Sequence, residues 1–290
     1  MTAHQPLRGG ELADADTVDM PIAAPADVTE ENSFWLRPSV IWTARITIVV
    51  GLLLLWELAS GRWIRPVYVS KPSLVAERLW HWIESGEIWM HLAATLHEAI
   101  LGFLIGALAG MAVGLLLGRN EFLARVLGPF IVVLNSLPKV ALAPLFILWF
   151  GIGLTMKVVL TVVIVFFLVF YNTFMGVRDV DEDLVNIIKT MGASRLQILR
   201  KVIIPSALLW VSTGLRISIP YALIGAVVGE IFASNRGIGY LIQSSGAQFD
   251  TAGVFAGLIL LVIVSASFSA LLTRIEKSLF RWRRSSRPAG

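Results

Sequence analysis

Cysteine is absent from the chain, which excludes disulfides and thiolate metal sites. Charge is scarce: 15% of the residues are Asp, Glu, Lys or Arg, against roughly a quarter in a soluble domain. The four histidines, His4, His81, His91 and His97, are scattered and form no ligand pattern. A membrane enzyme would need a clustered nucleophile, base or metal set, and none is present in the sequence. There is also no Gly-x-x-x-x-Gly-Lys-Ser/Thr phosphate loop, so no ATP site is recognisable.

What the chain has instead is apolar length. Hydrophobic residues make up 56% of it and the mean hydropathy is +0.76. A helix crosses the ~30 Å hydrocarbon core with about 20 residues. Six runs reach that length, at 40–59, 92–118, 126–150, 156–175, 207–231 and 252–272. They are continuous rather than alternating, which argues against a barrel. Helices are then expected, because every backbone polar group in lipid needs an internal partner. The expectation is an all-α membrane protein with about six transmembrane helices.

A sequence pI of about 9.6 would suit nucleic acid, but the distribution of charge does not. Basic residues stand beside the ends of the apolar runs. Counted by side, three lie in the N-terminal tail, two between runs two and three, five between runs four and five, and six at the C-terminus. The opposite side holds six, among them Lys157 and Arg236. The positive-inside rule therefore puts both termini and the 176–206 loop in the cytoplasm.

Three divisions follow. Residues 1–38 form an acidic tail, with seven acids against Arg8 alone through residue 33. Too little apolar surface is available there to order it. Residues 39–280 form the membrane domain, and 281–290 a basic cytoplasmic tail. Within the membrane domain, 73–84 reads as a short amphipathic helix presenting Leu74, Val75, Leu79, Trp82 and Ile83. Run two carries Gly102, Gly106, Gly110, Gly114 and Gly118, one ridge four residues apart. Small ridges let helix backbones approach closely in lipid. Run three carries Pro129, Pro138 and Pro144, each able to bend a helix. Ser136 and Lys139 fall at the expected break, where backbone can line a cavity or pack in protein. Segment 234–250 has turn signals at Gly237 and Gly239. It reads equally as a connector or as an element dipping back over the mouth.

Ionisable residues inside a bilayer are costly and commonly functional. Candidates for a translocation path are Ser136, Pro138, Lys139, Arg216 and Glu230. Arg216 has two readings: a group that favours anions, or a structural partner of Glu230 or of main-chain carbonyls. Glu57, near a span end, is expected to snorkel.

Segment 179–205 is polar and cationic between apolar runs. Acids Asp179, Asp181, Glu182 and Asp183 precede bases Lys189, Arg195, Arg200 and Lys201, an order that suits a helix dipole. Leu184, Val185, Ile188 and Met191 recur at helical spacing, and Gly192 suits a helix C-terminus. The result is a helix–Gly–helix elbow ending at Pro205. It fits either a partner's groove or the surface of anionic lipid.

Gly192 and Pro205, with Val202 and Ile204 between them, resemble the loop by which ABC-importer permeases dock on their ATPases. In that family the pattern is Glu-Ala-Ala, three residues, Gly, nine residues, then Ile-x-Leu-Pro. Here Asn186, Ile187 and Ile188 stand in place of Glu-Ala-Ala. Further matches run in order from Leu137-Pro138-Lys139 and Gly151-Ile152-Gly153 through Thr213-Gly214-Leu215-Arg216 to Gly229-Glu230 and Gly237-Ile238-Gly239. These are similar to permeases of the nitrate, taurine, alkanesulfonate and thiamine-precursor branch. The resemblance implies a type I ABC-importer permease fold in a bacterial inner membrane. It implies a permease homodimer, cytoplasmic ABC ATPase subunits that bind ATP and Mg, and a periplasmic or lipid-anchored substrate-binding protein. It assigns ATPase coupling to Asn186, Ile187, Ile188, Met191, Gly192, Ala193, Ser194 and Pro205, and a small anion as cargo. The alternative is an ion-coupled secondary transporter. That would need midplane carboxylates and often an inverted repeat, and no convincing repeat is visible.

Overall fold

The computed structural model describes residues 37–279. The expected tails, 1–38 and 281–290, lie outside that range but for Arg37 and Pro38. In chain order the helices are α1 (Pro38–Ala59), α2 (Pro66–Val69), α3 (Pro72–Glu84), α4 (Glu87–Gly118) and α5 (Glu121–Ser136). A 3-10 turn (Lys139–Leu142) leads into α6 (Ala143–Phe150), followed by α7 (Leu154–Arg178), α8 (Glu182–Thr190) and α9 (Arg195–Ile198). A π turn (Leu199–Ile203) then joins α10 (Ile204–Ala233), α11 (Ile238–Ala247) and α12 (Thr251–Leu279). Residues through Leu54 and those from Leu55 onward cluster separately.

Five helices, α1, α4, α7, α10 and α12, are long and apolar enough to cross a membrane. The sixth expected span is broken. Its two pieces, α5 and the 139–150 segment, meet at 79°. The break falls at Leu137–Pro138, where Leu137 leaves the helix for extended backbone. A residue before proline is pushed out of the α region in this way.

Local signals explain the ends. Prolines open α2 and α3, where the missing N–H has no intrahelical partner to lose. Asn120 caps α5 by accepting from Leu123 N at 3.1 Å. Glu57 has a specific partner at the span end. Its carboxylate accepts from Ser73 N at 3.0 Å and Ser73 Oγ at 2.9 Å, capping the first turn of α3. The amphipathic face of α3 is narrower than expected: Val75 and Trp82 are buried, while Leu74 and Ile83 are exposed.

The glycine ridge sets the centre of the bundle. All five ridge glycines are buried. A Cβ added to them would meet α7: at Gly106 it would stand 2.7 Å from Val162 O, and at Gly110 2.8 Å from Phe166 O. The register is constant. Gly102 faces Thr161, Gly110 faces Val169 and Gly118 faces Val177, each 59 positions on, so α4 and α7 run parallel. On the other flank, Gly214 meets Asn172, Gly225 meets Thr161 and Gly229 meets Lys157. There one number falls as the other rises, so α10 is antiparallel to α7. Helix α7 is thus held between two glycine-lined neighbours, the close approach by which helices associate in lipid.

Candidate functional sites: an exposed elbow and a buried polar network

At one end of the bundle, α8 and α9 form the expected elbow. Asp181 caps α8 by accepting from Asp183 N at 2.8 Å. Gly192 ends the turn at φ 82°, a left-handed conformation that glycine adopts without steric cost. Its amide donates to Lys189 O, and that of Ala193 to Ile188 O, which satisfies the last carbonyls of α8. A reciprocal capping box follows: Gln197 N donates to Ser194 Oγ, and Ser194 N donates to Gln197 Oε1. Upstream of Pro205 the helix widens into the π turn. Proline supplies no N–H to the ladder, and the chain passes into α10 without a gap.

The elbow has two apolar stripes, not one. Val185 and Ile188 are half-buried, whereas Leu184, Ile187 and Met191 are exposed, Met191 to 79%. The sequence reading had merged Leu184 and Met191 with the inner stripe. Of the other predicted coupling residues, Asn186, Gly192 and Ser194 are exposed, and Ala193 and Pro205 are half-buried.

The predicted path residues fall in separate places, Ser136, Pro138 and Lys139 at the break after α5 and Arg216 and Glu230 on α10. Ser136 ends α5 and donates to Val132 O at 3.0 Å. Pro138 lies in the break. The Lys139 ammonium donates to Asn135 O and sits 5.2 Å from the centroid of the Phe167 ring. Arg216 is exposed on α10. Glu230 is buried on the same helix, 14 residues further on. That is about 21 Å of rise, so the suggested Arg216–Glu230 pair does not form.

Glu230 belongs to a network at the end opposite the elbow. Its Oε1 accepts from Thr95 Oγ1 at 2.6 Å and its Oε2 from Gly239 N at 2.7 Å. Ile238 N donates to Thr95 Oγ1 at 2.8 Å, and Gly237 N to His91 Nδ1 at 2.9 Å. Three successive amides opening α11 therefore end on three side chains from two spans. Beside them, Glu98 and Lys157 form an ion pair with side chains only 3% and 8% exposed. Lys157 also donates to Ser234 Oγ at 3.1 Å. A cavity of about 990 Å³ opens next to the pair, lined by His97, Glu98, Lys157, Asn235 and Arg236 among others.

Sequence reasoning had not selected His91, Thr95 or Lys157. Lys157 had been taken as a flanking charge. One signal was available: Glu98 continues the glycine ridge by one step of four, and Lys157 lies 59 positions beyond it, in the glycines' register.

Up to six apolar stretches long enough to cross a membrane, one of them broken, define a multi-pass membrane protein. Residues 102–281 match the family described as binding-protein-dependent transport system inner membrane component, and the chain belongs to that family. The formylaminopyrimidine transport permease ThiX of Halalkalibacterium halodurans is 34% identical over 233 residues, covering 80% of this chain and 93% of the relative. The aliphatic sulfonates transport permease SsuC of Bacillus subtilis, its assignment putative in the name it carries, is 33% identical over 245 residues, or 84% and 89% of the two chains. A solved bacterial ABC transporter for alginate import shares the fold, with a TM-score of 0.58, 14% identity, and coverage of 89% of this chain and 96% of that one. The chain is therefore the non-catalytic permease subunit of an ATP-driven importer. It works with an ATPase and a substrate-binding protein. The secondary-transporter alternative falls with that finding.

Proposed function

We propose that the 176–206 elbow is where this permease receives the motion of its ATPase. The supporting observation is the outward stripe of α8. Leu184, Ile187 and Met191 are exposed together on a loop whose shape is fixed by Gly192 and two caps. A helix presenting apolar anchors at i, i+3 and i+7 suits a groove in a partner. Asn186, Ile187, Met191, Gly192 and Ser194 face that partner, while Ile188, Ala193 and Pro205 hold the elbow against the bundle. ATP and Mg bind on the ATPase. Two copies of the chain line the path, with the elbow and both termini cytoplasmic, the orientation favoured by the excess of Lys and Arg on that side. Nucleotide-driven closure of the ATPase dimer moves the elbow as a rigid body, a recognised switching mode. The cargo is a small anion. The sulfonate importer among the relatives supports this class, as does a cavity rim carrying Arg236.

The test is co-purification in mild detergent. The tagged chain is expected to retain an ATPase with a phosphate-binding loop, identified by mass spectrometry. Gly192→Trp puts a large side chain where only open space is present and φ is +82°. It is expected to lose the ATPase while remaining inserted and monodisperse. Gly192→Asn tolerates the left-handed conformation and is expected to keep it. Retention of the ATPase by the Trp variant overturns the docking assignment.

A further inference from the structure

The polar network and the cavity share one segment of chain. Residues 234–236 line the cavity, and residues 237–239, immediately following, are the three whose amides are taken by His91, Thr95 and Glu230. The fit is close on both sides. Gly237 has φ 111° and lies against the Glu230 carboxylate, so that any Cβ there would collide with it. A Cβ at Gly239 would stand 2.9 Å from Glu230 Cβ. The other end of the segment is held as well: Ser234 Oγ accepts from Lys157 and donates to Arg236 O at 2.6 Å. The rim is pinned at both ends, and between the pins lie Asn235 and Arg236.

The charges lining the cavity are uneven. Glu98 and Lys157 cancel in their ion pair. Arg236 is exposed and pairs with no carboxylate among the described residues. Apart from His97, it is the charge left facing the cavity.

We infer that Arg236 is the anion-attracting group of this cavity, and that His91, Thr95 and Glu230 are positioning residues that hold it at the lip. A loop arginine on a free rim would spend its side-chain and backbone freedom in solvent. One whose following amides are fixed by buried acceptors keeps its Cα at one place on the rim, which confines the reach of its guanidinium to the cavity mouth. This deepens the reading of a small anion as cargo and rests on it.

The absence of cysteine makes a direct test available. Ala93→Cys places a single thiol on an exposed, cavity-lining position of α4. Its rate of modification is measured with two methanethiosulfonates of similar size, one carrying an ethylsulfonate and one an ethyltrimethylammonium group. Each rate is normalised to that with a small free thiol. The sulfonate reagent is expected to be favoured. Arg236→Ala is expected to lower that preference about twofold at ~0.1 M salt and up to about sixfold at low salt, the effect of one unit charge acting with opposite sign on the two reagents over a separation on the order of one Debye length in water-like medium. Thr95→Val, which removes the acceptor for Ile238 N, is expected to lower it to a similar extent. Thr95→Ser is expected to retain it, and Thr95→Val combined with Arg236→Ala to fall no further than Arg236→Ala alone. His91→Phe keeps a ring over Tyr240, whose centroid is 5.8 Å away, but loses the acceptor. It serves as a second release variant if Thr95→Val fails to fold. A parent that shows no anion preference overturns the anionic-cargo reading itself. A preference that survives Arg236→Ala overturns only the assignment to Arg236. A preference lost in Arg236→Ala but kept in both release variants overturns the positioning role.

Discussion

Removing Lys157 from its ion pair is the sharpest energetic test of this structure. The Glu98 and Lys157 side chains are 3% and 8% exposed. Glu98 Oε1 accepts from Lys157, and Oε2 is buried without a hydrogen-bond partner. Lys157→Met leaves a buried carboxylate without its counter-ion, which costs about 3–5 kcal/mol. It also removes the bond that ties Ser234 to α7. Glu98→Gln keeps the shape and an acceptor oxygen for the ammonium, so its cost is smaller, about 1–3 kcal/mol. Glu98→Leu with Lys157→Met removes both charges together, and such double replacements range from neutral to stabilising. The assay is thermal unfolding in detergent of all three variants. At about 2–4 °C per kcal/mol for a chain near this size, Lys157→Met is expected to lower the midpoint by roughly 10 °C. The double variant is expected to recover most of that. Two results refute the reasoning. If Lys157→Met stays within about 1 kcal/mol of the parent, the pair is solvated through the neighbouring cavity and is not effectively buried. If the double variant is as damaged as Lys157→Met, then lost packing and not stranded charge is the cause.

Other expectations are simpler. Gly110→Ala sets a Cβ 2.8 Å from Phe166 O and 2.9 Å from Phe170 N, both backbone atoms. The helices must part, at about 1–3 kcal/mol, read as a lower unfolding midpoint. Gly128→Ala on α5 meets nothing within 4 Å and is expected to be neutral or to gain up to about 1 kcal/mol in helix propensity. Equal effects at the two positions would contradict the ridge. Glu57→Ala removes the acceptor for Ser73 N. Hydrogen exchange at Ser73 is expected to accelerate several-fold, with the core of α4 and α7 unaffected, and an unchanged rate would show that solvent supplies the cap equally well.

Much of the fold was legible because lipid imposes a coarse length rule. Five of the six apolar runs returned as one long apolar helix each, and the prolines of 126–150 marked the run that is bent by 79°. The Gly102–Gly118 ridge was legible as a packing surface, since residues four apart share a helix face. Its partner was not. Nothing in α4 specifies α7 over another apolar helix, and the 59-position register appears only once the two are packed. The elbow shows the same limit. Periodicity located Leu184, Val185, Ile188 and Met191 on one helix. It could not say which stripe meets the bundle, because in α8 both stripes are apolar and only tertiary contact decides.

The charged positions were harder for a physical reason. A charge beside an apolar run is read as the end of that run, since the interface is where an unpaired charge is cheapest. Glu98 and Lys157 satisfy that pattern separately, and only their contact removes the need for water. Once paired, they let α4 and α7 stay protein-packed for another turn, and α4 begins at Glu87 where the apolar run had begun at 92. That extra turn carries His91, and Thr95 follows one turn further in; both receive amides of α11. The ion pair therefore does more than tolerate burial. Its Glu98 stands on the same stretch of α4 as two of the acceptors on which the 234–239 rim depends, and its Lys157 donates to Ser234 of that rim, so a variant that strands either charge should loosen the rim before it loosens the glycine ridge.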